Sequence, residues 1–122
     1  MDEFDRVAPW IASALQEAGG THSIEDIRQA VAAQNMLLMT SKNAAILIEI
    51  VKYPQKKALR IFGVGGSGNE ALEELKVFAR GVPQMAADLG CTRFEGCGRP
   101  GWSRALRELG MTPHVFMFKD IA

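Results

Sequence analysis

Four glycines fall within six residues, Gly63-Val64-Gly65-Gly66-Ser67-Gly68, spaced as G-x-G-x-x-G. Between a strand and a helix, that spacing suits anion binding: glycines let the backbone turn tightly, and free N–H groups at a helix start attract phosphate. Two readings are open. In one, Gly65, Gly66, Ser67, Gly68 and Asn69 cradle the phosphates of a cofactor. In the other, the glycines only supply unusual φ angles to a strand-to-helix turn, and the isolated motif favours this. Context excludes the dinucleotide form, which needs an acidic residue about 20 positions further on and a larger βαβ array. Glu95 comes too late, and the remaining chain is too short.

A second stretch, "CGRPGWSRALRELGM" at residues 97–111, gathers Pro, Gly and Trp at the start of a helical pattern. Trp102, Ala105, Leu106 and Leu109 fall on one helical face. Arg104 and Glu108 make an outward i,i+4 pair, and Pro100 suits a first helical turn. Trp102 is therefore expected as a core anchor. The functional alternative is Arg99 and Trp102 as an exposed clamp for a ligand or partner. Glu49, mid-strand among apolar residues, reads either as an inward-facing base or, more simply, as a cross-strand partner of Lys52 or Arg60. No catalytic residue is assigned. His22 and His114 have no carboxylate or cysteine at ligand spacing, so no metal site is expected. Cys91 and Cys97, if joined by a strand, lie about 20 Å apart at ~3.3 Å per residue, too far to bridge or to share a metal.

Two helices come first. Val7, Trp10, Ile11, Ala14, Leu15 and Ala18 follow helical spacing from Pro9 to a stop at Gly19-Gly20. Ser23 and Asp26 then cap a helix whose buried stripe is Ile24, Ile27 and Val31. "NMLLMT", "AAILIEIVKYP" and "KALRIFGV" read as three strands of an antiparallel meander. Ile46, Ile48 and Ile50 share one face and Leu47, Glu49 and Val51 the other, so both sides of the sheet should be covered. The next helix should bury Leu72, Leu75 and Phe78 or Ala79, and break or kink at Arg80-Gly81-Val82-Pro83. Met36 and Met39 read as core or interface packing. "CTRFEGC" is a short strand, "RPGWSRALRELG" a helix and "PHVFMFKDI" a final strand. The fold class is α+β, in the order α α β β β α β α β, within one domain over residues 1–122.

Composition narrows the function. Fourteen cations balance fourteen carboxylates, so net charge gives no indication of nucleic-acid or membrane binding. No apolar run approaches the ~20 residues of a membrane span. The opening "MDEFDR" is acidic where a secretory signal is basic, which points to the cytosol. The last strand, with Val115, Phe116, Met117 and Phe118 apolar on both faces, is a natural contact for another chain if it lies at an edge, and core if it is central.

The element order, the glycine turn after the third strand and the closing strand–helix–strand with its "LGM" turn resemble the GNAT acyltransferase fold. The resemblance covers residues 8–120. It implies that the glycine turn and the following helix hold an acyl-CoA pyrophosphate, and that the fourth and fifth strands splay to admit the pantetheine arm. Gly66 and Gly68 match the loop's glycines, whereas Gly63 stands where that loop carries Arg or Gln. Leu106 stands where the family's later helix carries a Tyr that protonates the leaving thiolate, and Arg99 where it carries Asn. A leucine donates no proton. "GCTRFEGCGRPGWSRALRELGM" also resembles small GNAT-like proteins of tailed phages and prophages, where Gly-Arg-x-Gly-Trp recurs at this place. The leading expectation is thus a GNAT-fold binding or structural module without ordinary acetyltransferase activity, in the host cytoplasm or in a virion. It would work as a homo-oligomer, or with other protein subunits of an assembly, with residues 114–118 near the contact. The alternative is an acyl-CoA-dependent N-acetyltransferase with acetyl-CoA at the Gly63–Gly68 turn. A third is a small-molecule binder that uses the splayed cleft without CoA.

Overall fold

The structure is a computed structural model that describes residues 2–17, 19–96, 107–114 and 117–121. Among these, α1 (Glu3–Glu17) and α2 (Ile24–Ala32) precede β1 (Leu37–Thr40), β2 (Ala44–Lys52) and β3 (Lys57–Gly66), then α3 (Gly68–Asp88) and β4 (Arg93–Gly96). The sheet order is β1-β2-β3-β4. The first three strands form the expected antiparallel meander, and β4 runs parallel to β3.

α1 begins well before Pro9. The Asp2 side chain accepts the Asp5 N–H at 2.9 Å, and Glu3 and Asp5 place carboxylates in the first turn, where the helix dipole favours them. Phe4, Val7, Ile11 and Leu15 then form one buried stripe through the proline. Burying that stripe outweighs the one hydrogen bond that Pro9 removes. In α2 the expected cap is a full capping box. Ser23 Oγ accepts the Asp26 N–H at 3.1 Å, and Asp26 Oδ2 accepts the Ser23 N–H at 2.8 Å.

β2 is covered on both faces along its first half. Ala45 and Leu47 join Phe4, Val7, Ile11, Leu15, Ile27 and Met36 in a core under α1 and α2. Ile46 and Ile48 join Leu59, Ile61, Val82, Ala86 and Cys91 in a second core under α3. Met39 packs at the edge of the second core.

α3 departs from expectation twice. It runs unbroken through Gly81 and Pro83, because Ala79, Val82 and Ala86 stay buried against the sheet on either side of the missing N–H. Its buried face is Ala71, Leu75, Ala79, Val82 and Ala86, while Leu72 points outward at 47% exposure. Small Ala71 sits against Gly66, and that close approach sets the helix rotation.

The chain's end is described only in part. Residues 97–106, with Cys97, Arg99, Pro100, Trp102 and Leu106, lie outside the described residues, as do Val115 and Phe116. Arg107 and Glu108 are helical, and Gly110, at φ +81°, donates its N–H to the Arg107 carbonyl at 2.9 Å. The expected final strand is not formed by its described residues, Pro113, His114 and Met117–Ile121. Phe118 packs on the α1–α2 turn instead. A Cβ on Gly19 would come within 3.0 Å of its ring.

Candidate functional site

The glycine run is less a turn than the end of a strand. Gly63–Gly66 all belong to β3 and pair with Ala44–Leu47 of β2. A β-bulge interrupts the register where Leu47 faces Gly63 and Ile48 faces Ile61. The extra residue, Phe62, turns with Gly63 toward the α1–α2 side of the sheet, where its ring meets His22 of the α1–α2 connection edge-on at 4.8 Å. From there Gly63 and Gly65 face α1 and Gly66 faces α3. A Cβ on Gly65 would lie 2.6 Å from the Trp10 carbonyl oxygen, and one on Gly66 2.5 Å from the Asn43 carbonyl oxygen and 2.6 Å from Ala71 Cβ. The missing side chains let a helix rest directly on a strand and let α3 start against the β1–β2 turn.

The turn itself is Ser67 and Gly68, the latter at φ +79°. Ser67 occupies the N-cap of α3 without a side-chain cap. Its N–H donates to the Asn43 carbonyl at 2.9 Å. Asn69 and Glu70 follow in the first helical turn, and Glu70 Oε2 stands 3.1 Å from where a Gly68 side chain would begin. A pyrophosphate seated here would face that carboxylate and compete with Asn43 for the Ser67 N–H.

Beside the run lies a cleft of about 270 Å³, lined by Pro9, Trp10, Ser13, Gly65 and Gly66. The Arg6 guanidinium lies over the Trp10 ring, 5.6 Å from its centroid. Beyond the Ile61–Gly96 pair, Phe62–Gly66 of β3 have no β4 partner among the described residues. Of the five candidate phosphate contacts, Gly65 and Gly66 line the cleft, and Ser67, Gly68 and Asn69 follow them in the chain. Arg99 and Trp102, the other candidate contacts, lie outside the described residues.

Two polar networks hold the surroundings, and sequence reasoning did not anticipate most of either. At the β1–β2 turn, Arg6 donates to the Ser41 and Lys42 carbonyls at 2.8 and 3.0 Å and pairs with Glu3 at 2.9 Å. From the other side, Glu74 of α3 accepts from the Ser41 hydroxyl, from the Asn43 N–H at 2.8 Å and from Asn43 Nδ2 at 2.7 Å. At the opposite end of the sheet, Glu49 is a partner of Arg60 as expected, at 3.2 Å. The same guanidinium also donates to Glu95 at 3.1 Å and to Tyr53 Oη at 2.9 Å, and Tyr53 donates to Glu95 at 2.5 Å. The antiparallel register made the Glu49–Arg60 pair readable. Glu95 arrives through a parallel pairing set by the whole α3 crossover, which no local spacing announces.

Both networks hold carboxylates below their ordinary range. Hydrogen bonds from Arg6 and then Thr40 lower Glu3 to about 2. Hydrogen bonds from Ser41 and Asn43 lower Glu74. Burial pushes Glu95 up, but the hydrogen bonds from Tyr53 and Arg60 bring it down further. Groups lowered by folding stabilise the fold above their unfolded values, near 4.5, and that contribution is lost as pH falls through the folded ones. The urea midpoint is therefore expected to be flat from pH 7 to about 5 and to fall steadily between about 4.5 and 2. A midpoint unchanged down to about pH 3 would show that these carboxylates carry no folding linkage.

No protein-family model and no curated protein matches the sequence. Solved structures do match. A probable acetyltransferase superposes with a TM-score of 0.67 over 98% of this chain and 91% of its own, at 12% identity. A mutant of the BH1408 protein of Bacillus halodurans gives 0.67 over 98% and 94%, at 13% identity. A mutant of the TTHA1254 protein of Thermus thermophilus gives 0.59 over 83% and 82%, at 18% identity. These likenesses show the fold: a GNAT-like α+β architecture, with a four-stranded sheet flanked by helices. Among the described residues no helix is long and apolar enough to cross a membrane, and no group of three or more His, Cys, Asp or Glu is placed to hold a metal ion.

Proposed function

We propose that the chain is a GNAT-fold binding or structural module that does not carry out ordinary acetyl transfer. One observation carries this reading: at the turn where a GNAT cofactor's pyrophosphate would sit, the Ser67 N–H is already given to Asn43 and the Glu70 carboxylate stands beside Gly68. Two residue types agree with it. Gly63 replaces the Arg or Gln of the pyrophosphate loop, and Leu106 replaces the proton-donating Tyr. Work in a phage or prophage assembly, in the host cytoplasm or the virion, belongs to the same reading and rests on the Gly-Arg-x-Gly-Trp pattern at residues 98–102. Its partners would be copies of itself or other subunits.

Titrating acetyl-CoA into the protein calorimetrically at low salt tests the reading. No saturable heat is expected. A dissociation constant in the low micromolar range, about −8 kcal/mol, would overturn it in favour of an acyl-CoA-dependent N-acetyltransferase with the cofactor on Gly65, Gly66, Ser67, Gly68 and Asn69.

A further inference from the structure

The chain's balanced charge is unevenly distributed. Residues 52–57 carry Lys52, Lys56 and Lys57 and no carboxylate, whereas residues 70–74 carry Glu70, Glu73 and Glu74 and no cation. The β2–β3 register places Lys52 directly opposite Lys57, a like-charge pair that weakens a hairpin unless an anion answers it. Lys57 is occupied with the Leu89 carbonyl at 2.8 Å. Lys52 and Lys56 are exposed, and their side chains make no hydrogen bond or ion pair among the described residues. On α3, Lys76 answers Glu73 only at 3.5 Å, on a mostly exposed carboxylate.

Both surfaces also carry apolar groups. At the hairpin, Ile50, on the same face of β2 as Lys52, is 36% exposed. On the outer face of α3, Val77 is 62% exposed, on the same side of the helix as Glu70 and Glu73. An exposed apolar centre rimmed by charge is the composition of a protein contact. One surface is basic at its rim and the other acidic.

They cannot meet within one molecule. β2 runs from Ala44, next to the Asn43 that Glu74 grips, to Lys52 at the hairpin. At ~3.3 Å per residue the two surfaces are roughly 30 Å apart, about three Debye lengths at 0.1 M salt.

We infer that the β2–β3 hairpin of one copy docks on the outer face of α3 of the next, giving a head-to-tail self-association. The two patches differ, so the contact is heterologous and builds rings or open chains rather than a closed two-fold dimer. Zero net charge leaves no long-range repulsion to oppose it. This deepens the binding-module reading by naming a second copy as partner. Its test is read by sedimentation, independently of the acetyl-CoA titration, so either can fail alone.

Sedimentation velocity of the full chain should show species larger than a monomer that grow with protein concentration at low salt and shrink near 1 M, where screening acts within about 3 Å. Lys52→Glu with Lys56→Glu, and separately Glu70→Lys with Glu73→Lys, should each weaken association about tenfold or more. Mixing the two charge-reversed proteins should restore it, since each then offers the other two complementary contacts. Circular dichroism checks that both are folded. If a reversal unfolds the chain, Lys52→Gln with Lys56→Gln is used and should weaken association in the same direction. A wild type that stays monomeric at every salt and concentration overturns the inference. So does association that survives both reversals, or that the mixture does not restore. Association lost only on Met117→Lys would also overturn it, placing the contact on the apolar C-terminal segment.

Discussion

Alanine at Gly65 or Gly66 is expected to destabilise the protein by about 1–3 kcal/mol or more, the range for forcing atoms into a packed site. At Gly65 the new Cβ would meet the Trp10 carbonyl oxygen at 2.6 Å, and at Gly66 the Asn43 carbonyl oxygen at 2.5 Å. These are backbone atoms, so no side-chain rotation relieves the contact. α1 would have to lift from β3, or the β1–β2 turn from α3. Gly63 is the control: its added Cβ would find only Ala14 Cβ at 3.6 Å, an ordinary contact. Gly63→Ala is therefore expected to be near neutral, or stabilising by up to about 1 kcal/mol through the unfolded chain. Urea denaturation ranks the three variants. Equal midpoints would mean that the glycines are not there for close packing.

Truncating Leu59 to alanine is expected to remove about 2–5 kcal/mol, a large share of the ~5–15 kcal/mol that holds a small domain together. Leu59 is fully buried among Ile46, Ile48, Ile61, Val82 and Ala86, and the strands and helix around it have little freedom to collapse into the space. Leu72→Ala, on the exposed side of α3, should change stability by no more than about 0.5 kcal/mol. Thermal denaturation of both separates the face α3 buries from the face its leucines suggest. Comparable losses from the two would mean that the helix is rotated toward Leu72.

That contrast shows where sequence was informative. The capping box at Ser23 and Asp26, the meander and the Glu49–Arg60 pair rest on spacings of a few residues or on one hairpin register, and each was legible. α1's start was not, because Pro9 reads as a first-turn residue until Phe4 is seen to continue the stripe of Val7 and Ile11 behind it. α3's rotation was hidden because the contact that sets it is between an alanine and a glycine, the two residues that hydrophobic patterning weighs least. Gly65 and Gly66 were found as a motif, but their neighbours, Trp10 and Asn43, are far off in the chain, so spacing could not say what the missing side chains make room for. Glu74's hold on Ser41 and Asn43 links separate elements in the same way.

The sheet divides the interior in two. β2 sends Ala45 and Leu47 to the α1–α2 side and Ile46 and Ile48 to the α3 side, and the two cores share no residue. Substitutions on opposite sides, lacking common neighbours, are expected to act additively. The strands thus work as a partition across which changes in volume are poorly transmitted. One helical layer can drift in sequence, and with it the cleft beside Trp10, while the other keeps its packing and the strands keep their register. On such a scaffold a binding surface can be rebuilt from one side only.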